Sequence, residues 1–159
     1  MKVIDNFLPE EEFKTIQNFI MGETFPWFYN DYRLSKSIED KNYQLIHMFY
    51  DEKKLVSQQF PLVEFCIRRL TVNTLFRVKA NLNSRTFFHR KHGYHTDGYS
   101  NITTGIYYLN TNNGFTKFKK GGKVKSVANR MVLFDSNLIH SGVTCTDEKR
   151  RVVINFNYA

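Results

Sequence analysis

The feature that most constrains this chain lies after Leu75. From there to Tyr158, short runs rich in Val, Ile, Tyr, Phe and Thr alternate with Gly and Asn breaks. The runs fall near 75–82, 85–90, 93–97, 102–110, 114–118, 123–127, 130–135 and 151–158. So many short strands in roughly eighty residues point to a sandwich or small barrel of the jelly-roll kind. Gly121-Gly122 and Asn112-Asn113-Gly114 supply turn signals between them.

The first part of the chain reads as helical. Asp5-Asn6 before Pro9, then Glu10-Glu11-Glu12, form a helix start, with a capping candidate, a proline suited to the first turn and acids that complement the helix dipole. Phe13, Ile16 and Ile20 then share one face. A second helical stretch is expected from Asp51 towards Leu70, broken or restarted at Pro61, with Leu62, Phe65, Cys66 and Leu70 as its buried stripe. No repeat, low-complexity segment or linker divides the chain. The expectation is therefore one domain over 1–159, α+β but mainly β, with 1–74 as helical support packed on one face of a 75–159 jelly-roll core.

Composition narrows the class further. Apolar residues make up 42% of the 159 positions and aromatics 16%, which excludes intrinsic disorder. No window approaches the roughly 18 consecutive apolar residues of a membrane span. The N-terminus turns acidic at Asp5 without an apolar stretch, so it does not read as a secretion signal. Cys66 and Cys145 lack CxxC partners, which argues for free thiols in a reducing cytosol rather than a disulfide scaffold or zinc ribbon. The net charge of +8 suits an anionic partner, nucleic acid or a small carboxylate, and equally a solvated basic surface.

Three features carry potential chemistry. His95-Thr96-Asp97 places an imidazole and a carboxylate on one face of an expected strand, since residues two apart point the same way. His140 follows an apolar run and a polar turn, a sensible route for returning a ligand across a barrel. Two histidines and one carboxylate form the facial triad of non-haem Fe(II) oxygenases. The last run divides cleanly: Val152, Ile154 and Phe156 on one face, Arg151, Val153, Asn155 and Asn157 on the other. Alternation favours Arg151 over Arg150 as the guanidinium that enters a pocket, where it could clamp a carboxylate. His47 reads as a core or interface residue, His89 and His92 as the rim of the pocket, and Trp27 with its aromatic neighbours as packing.

In order and spacing, His95-x-Asp97, His140 and Arg151 resemble the Fe(II)- and 2-oxoglutarate-dependent dioxygenases, nearest to the prolyl-4-hydroxylase-like branch and its compact phage and bacterial members. Ile106-Tyr107-Tyr108-Leu109-Asn110 is similar to a strand that follows H-x-D in that branch. The stretch 112–118 resembles its G-x-T-x-F turn and strand, and Ile4 to Pro9 resembles its opening. One departure is Val153, where the branch usually has Ser or Thr two residues after the arginine. The resemblance implies a double-stranded β-helix with Fe(II) held by His95, Asp97 and His140. The distal carboxylate of 2-oxoglutarate would rest on Arg151 and Tyr108, with Asn155 beside it and Asn81 lining the pocket by position. It further implies dioxygen as co-reactant, release of succinate and carbon dioxide, and ascorbate as an auxiliary reductant. The expected prime substrate is a protein or peptide, prolyl residues included, and the expected location is cytoplasmic, in a host's cytoplasm if phage-encoded. Substrate choice is expected to lie in loops 30–42, 83–94 and 98–101. Two competing readings are the same chemistry on nucleic acid, as oxidative demethylation, and a non-catalytic jelly-roll binding module.

Overall fold

The computed structural model of the protein describes residues 1–30 and 43–159. The loop expected at 30–42 therefore lies, beyond Asn30, outside the described residues. Eleven strands and two helices are described. In chain order they are β1 (Lys2–Ile4), α1 (Glu10–Ile20), β2 (Phe28–Asn30), β3 (Gln44–Asp51), β4 (Lys54–Leu55), α2 (Pro61–Arg69), β5 (Leu75–Ser84), β6 (Thr103–Tyr108), β7 (Phe115–Phe118), β8 (Lys123–Lys125), β9 (Arg130–Asp135), β10 (His140–Val143) and β11 (Arg150–Tyr158). No helix among the described residues is long and apolar enough to cross a membrane.

The larger sheet runs β1-β9-β6-β11-β5-β3-β2, with β4 attached to β3. The smaller runs β10-β7-β8. Every pairing is antiparallel. This is a mainly β jelly roll with the helices on one face of its larger sheet. β11 sits at the centre, between β5 and β6. Its alternation decides the layering. Val152, Ile154 and Phe156 are buried with Phe13, Ile16 and Ile20 of α1 and with Val63 and Cys66 of α2. Burying each such side chain contributes about 1.5–3 kcal/mol, so this face fixes where the helices dock. The opposite face turns to the smaller sheet. There Ile106, Tyr108, Val132, Phe134 and Val153 pack with Phe118 and Val124, closing one end of the space between the sheets.

Several expectations need correction. The first 74 residues are not purely helical: β2, β3 and β4 belong to the larger sheet. Gln44 to Asp51 is rich in β-favouring residues, and β5 offers it a partner along its length. Helix therefore starts only at Pro61, which occupies the first turn, where its missing N–H is harmless. Glu52 and Lys53 take positive φ values of 46° and 62° in the turn between β3 and β4. The stripe of α2 is carried by Val63 and Cys66, with Leu62 and Phe65 only half-buried. In α1 the capping position falls on Pro9, without a side-chain cap, and Asp5 instead pairs with Arg130. Segments 85–90 and 93–97 are not strands; only isolated bridges form, Lys91 to Val143 and His95 to His140. Finally, β10 is a strand in a stretch that the expected runs leave unassigned.

Candidate active site

The two histidines meet through the backbone. His95 and His140 exchange both main-chain hydrogen bonds, at 3.0 and 2.9 Å. In such an antiparallel pair the side chains leave from the same side of the ladder. The two imidazole centroids consequently lie 4.5 Å apart. Asp97, two residues on, is anchored by its N–H donating to Ser136 at 3.1 Å. One ligand atom from each of His95, Asp97 and His140 falls within 4.8 Å of the others.

The surroundings set the chemical state of this group. Nδ1 of His140 donates to the Leu138 carbonyl at 2.9 Å, and Nδ1 of His95 to the Gly93 carbonyl at 3.3 Å. A carbonyl only accepts, so in each ring Nδ1 carries a proton and Nε2 is the atom left for a metal. Burial and the neighbouring His140 hold His95 below its usual pKa. Asp97 is pulled both ways. Burial opposes its ionisation, but the Thr104 hydroxyl, His140, Arg77 and Asn157 outweigh it and keep the carboxyl below its usual value. Its Oδ2 accepts from Thr104 Oγ1 at 2.6 Å and from Asn157 Nδ2 at 2.9 Å. Its Oδ1 lies 3.3 Å from Arg77 Nη2. Two imidazoles beside an ionised carboxylate are a donor set that suits Fe(II) and leaves the other octahedral positions open. Phe134 and Phe118 flank the His140 ring, with centroids at 4.9 and 6.2 Å.

A cavity of about 370 Å³ runs from this group to Arg151. Arg151 is buried, and its guanidinium donates to Ser126 Oγ at 2.9 Å and Thr116 Oγ1 at 3.2 Å. The Tyr108 ring lies under it at 5.6 Å, and the Tyr108 hydroxyl donates to Thr116 at 2.8 Å. No carboxylate among the described residues pairs with Arg151. An unanswered buried charge is costly, so this end of the cavity fits an incoming carboxylate. Val153, Asn155 and Asn81 line the wall between the two ends. Asn155 and Asn83 each bury a side-chain carbonyl oxygen with no partner, polar capacity that a ligand can use. Arg150 points elsewhere, to the carbonyl of Met21. His47 lies away from the cavity, held between Pro26 and Ser57.

The 114–118 segment turns out to serve this site. A Cβ at Gly114 would stand 2.8 Å from Cδ of Arg151, so the glycine makes room for the arginine. Thr116 receives Tyr108 and Arg151, and Phe118 packs beside His140. Sequence reading missed Arg77, Lys79, Thr104 and Ser126, and it placed Asn157 on the pocket-side face without its contact to Asp97. One signal was available: residues 77, 79, 81 and 83 are all polar while 78, 80 and 82 are apolar, a strand with one wet face.

The fold recurs among solved structures. A viral collagen prolyl hydroxylase from Paramecium bursaria Chlorella virus-1 matches with a TM-score of 0.60 at 14% identity, over 99% of this chain and 88% of that one. A 2OG-Fe(II) oxygenase family oxidoreductase from Burkholderia pseudomallei gives 0.67 at 11%, over 98% and 84%. A prolyl hydroxylase from Trichoplax adhaerens, solved with a hypoxia inducible factor peptide fragment, gives 0.66 at 14%, over 99% and 82%. At such identities the likeness is one of fold. No family model matches the chain, and no curated protein matches it.

Proposed function

We propose that this protein is an Fe(II)- and 2-oxoglutarate-dependent dioxygenase that hydroxylates a protein or peptide, releasing succinate and carbon dioxide, with residues 1–159 acting as one domain. The observation that carries the reading is a single cavity with a convergent His95, Asp97 and His140 at one end and the unpaired buried Arg151 at the other. Bound iron with 2-oxoglutarate supplies the activation of dioxygen and the oxidising power for C–H hydroxylation.

The chain's own residues do the rest. His95 and His140 offer Nε2, oriented by the Gly93 and Leu138 carbonyls respectively. Asp97 offers a carboxylate held in place by Thr104, Asn157 and Arg77. Arg151 holds the distal carboxylate of 2-oxoglutarate, and the Tyr108 hydroxyl, beside it on Thr116, is within the same polar cluster. Asn155 and Asn81 orient the middle of the cosubstrate. Val153 and Ile106 are the apolar part of that wall. Among the described residues no Phe, Tyr or Trp lines the cavity, which counts against a flipped nucleobase as substrate.

The test is metal- and 2-oxoglutarate-dependent succinate formation without any prime substrate, followed in the wild type and in Asp97→Ala. The wild type is expected to bind one Fe(II) or Mn(II) and form succinate. Asp97→Ala, lacking the only anionic ligand, is expected to lose both while remaining folded by circular dichroism. Wild-type protein that binds no divalent metal would leave the non-catalytic binding module standing instead.

A further inference from the structure

The cavity contains a cation that the chemistry above does not use. Lys79 lines it, and makes no hydrogen bond or ion pair with any described residue. The other cations are answered: Arg77 by Asp97 and Asn157, and Arg151 by the distal carboxylate it is assigned. Lys79 stands opposite Asn155 of β11 and Met48 of β3. The path from Asp97 to Arg151 follows β11, since Asp97 is held by Asn157 at one end and Arg151 lies at the other. Lys79 is therefore one strand to the side, about 4.8 Å, towards β3 and β2. Gln44 and Asn30 of those strands complete the lining there. That side is where a second molecule can lie beside the cosubstrate.

Charge reinforces the placement. Three cationic side chains, Arg77, Lys79 and Arg151, share the lining with one carboxylate, Asp97. The charges of Fe(II) and of 2-oxoglutarate cancel, so loading leaves the site cationic. A mostly buried amine two residues from Arg77 on the same strand face is held against desolvation and repulsion, with attraction from Asp97 and Asp51 at longer range but no ion pair to either. The cavity is also small, so beside the cosubstrate it admits a side chain rather than a large ligand.

We propose that Lys79 recognises a carboxylate of the prime substrate, and that this carboxylate belongs to an acidic side chain of a peptide. The inference rests on the dioxygenase reading for where the cosubstrate lies. Asn155, with its unpartnered amide carbonyl next to Lys79, then orients the hydrogen-bonding groups of the same side chain.

The experiment measures fluorescence anisotropy of degenerate peptide pools, each with one fixed central residue (Asp, Glu, Lys, Leu or Pro). The protein is loaded with Mn(II) and 2-oxoglutarate without oxygen, and metal occupancy is read separately by electron paramagnetic resonance. The Asp or Glu pool is expected to bind roughly 10-fold or more tighter than the Leu and Pro pools, the size of a charge-assisted contact. Lys79→Met should bring the acidic pools down to the Leu level, and Lys79→Glu should turn the preference towards the Lys pool. Indistinguishable pools, or an acidic preference that survives Lys79→Met, would overturn the proposal. So would a raised 2-oxoglutarate requirement in peptide-free turnover of Lys79→Met, because the amine would then serve the cosubstrate. Free L-aspartate or L-glutamate competing better than the pools would overturn the peptide part and assign the carboxylate to a small acid. If instead the protein takes up no metal, the dioxygenase reading fails, while the pools still report on Lys79.

Discussion

The two faces of β5 and β11 are one residue apart in sequence and opposite in character. On the helical side, Val78, Ala80, Leu82, Val152, Ile154 and Phe156 are close-packed and dry. On the cavity side, Arg77, Lys79, Asn81 and Asn83 of β5 face Asn157, Asn155, Val153 and Arg151 of β11 in direct register. Polar groups on that side are tolerated only because neighbours or a ligand answer them. The first face holds the protein together, and the second lines the cavity. Their separation is possible because the strand period is two, so each strand can carry both kinds of residue without compromise.

If the division is real, substitutions should sort by parity. The largest effect is expected from Phe156→Ala, on the dry face, which should cost about 3–5 kcal/mol of stability in urea unfolding. Any metal site in the surviving folded fraction should keep its affinity. A stability loss below about 1 kcal/mol, the range of an exposed change, would break the comparison from the packing side.

Next comes Arg151→Ala, on the wet face. Removing a buried guanidinium that pairs a carboxylate should cost about 2–5 kcal/mol in cosubstrate binding, or roughly 30- to several-thousand-fold. Arg150→Ala, whose side chain reaches the Met21 carbonyl, should change the 2-oxoglutarate requirement by less than about 1 kcal/mol. Titrating 2-oxoglutarate in peptide-free turnover compares the two directly, and a reversed order would break the assignment of the wet face.

Asn157→Leu sharpens the comparison one step further from the metal. Asn157 touches Asp97 and Arg77 and is fully buried. Losing it should weaken metal affinity about 10- to 100-fold, as expected for a group that orients a ligand. Mn(II) titration measures this, and restoration by Asn157→Gln would not follow from a merely structural role.

The smallest effect is expected at His47, on the helical side. Burial holds it below its usual pKa, against the opposing hydrogen bond to Pro26. The unfolded chain therefore takes up a proton near pH 6.5, about the ordinary histidine value, before the folded protein does. Stability should fall as pH drops from there towards the depressed folded value, and stay level above it. His47→Gln should flatten this slope between about pH 7.5 and pH 5.5 relative to the wild type. His95 titrates in both proteins, so the difference between them isolates His47. An unchanged slope would show that His47 is not protected by the dry layer.

Legibility followed the same parity. In the 151–158 run, alternation alone separated Arg151, Val153 and Asn155 from Val152, Ile154 and Phe156, and the structure has the same division. The 114–118 stretch was legible as a turn and strand, but not as the socket of Arg151, because a close approach to Gly114 comes from a segment remote in sequence. β3 was not read at all, since Gln44 to Asp51 earns its strand from β5 rather than from its own pattern. Arg77 was hidden for a related reason: its partners Asp97 and Asn157 are 20 and 80 residues away.

The sequence by itself determined the β-rich class, the apolar faces of α1 and β11, and the residue types available for a metal and a carboxylate. Those depend on periodicity and side-chain chemistry, which are local. Only the tertiary structure decided that His140 lies across from His95, that Asp97 is gripped by three other residues, that Arg151 is buried without an anion, and that Lys79 stands unanswered beside them. Each of these is a relation between strands far apart in the chain. Its energy comes from cross-strand register and shared burial, which no single stretch of sequence contains.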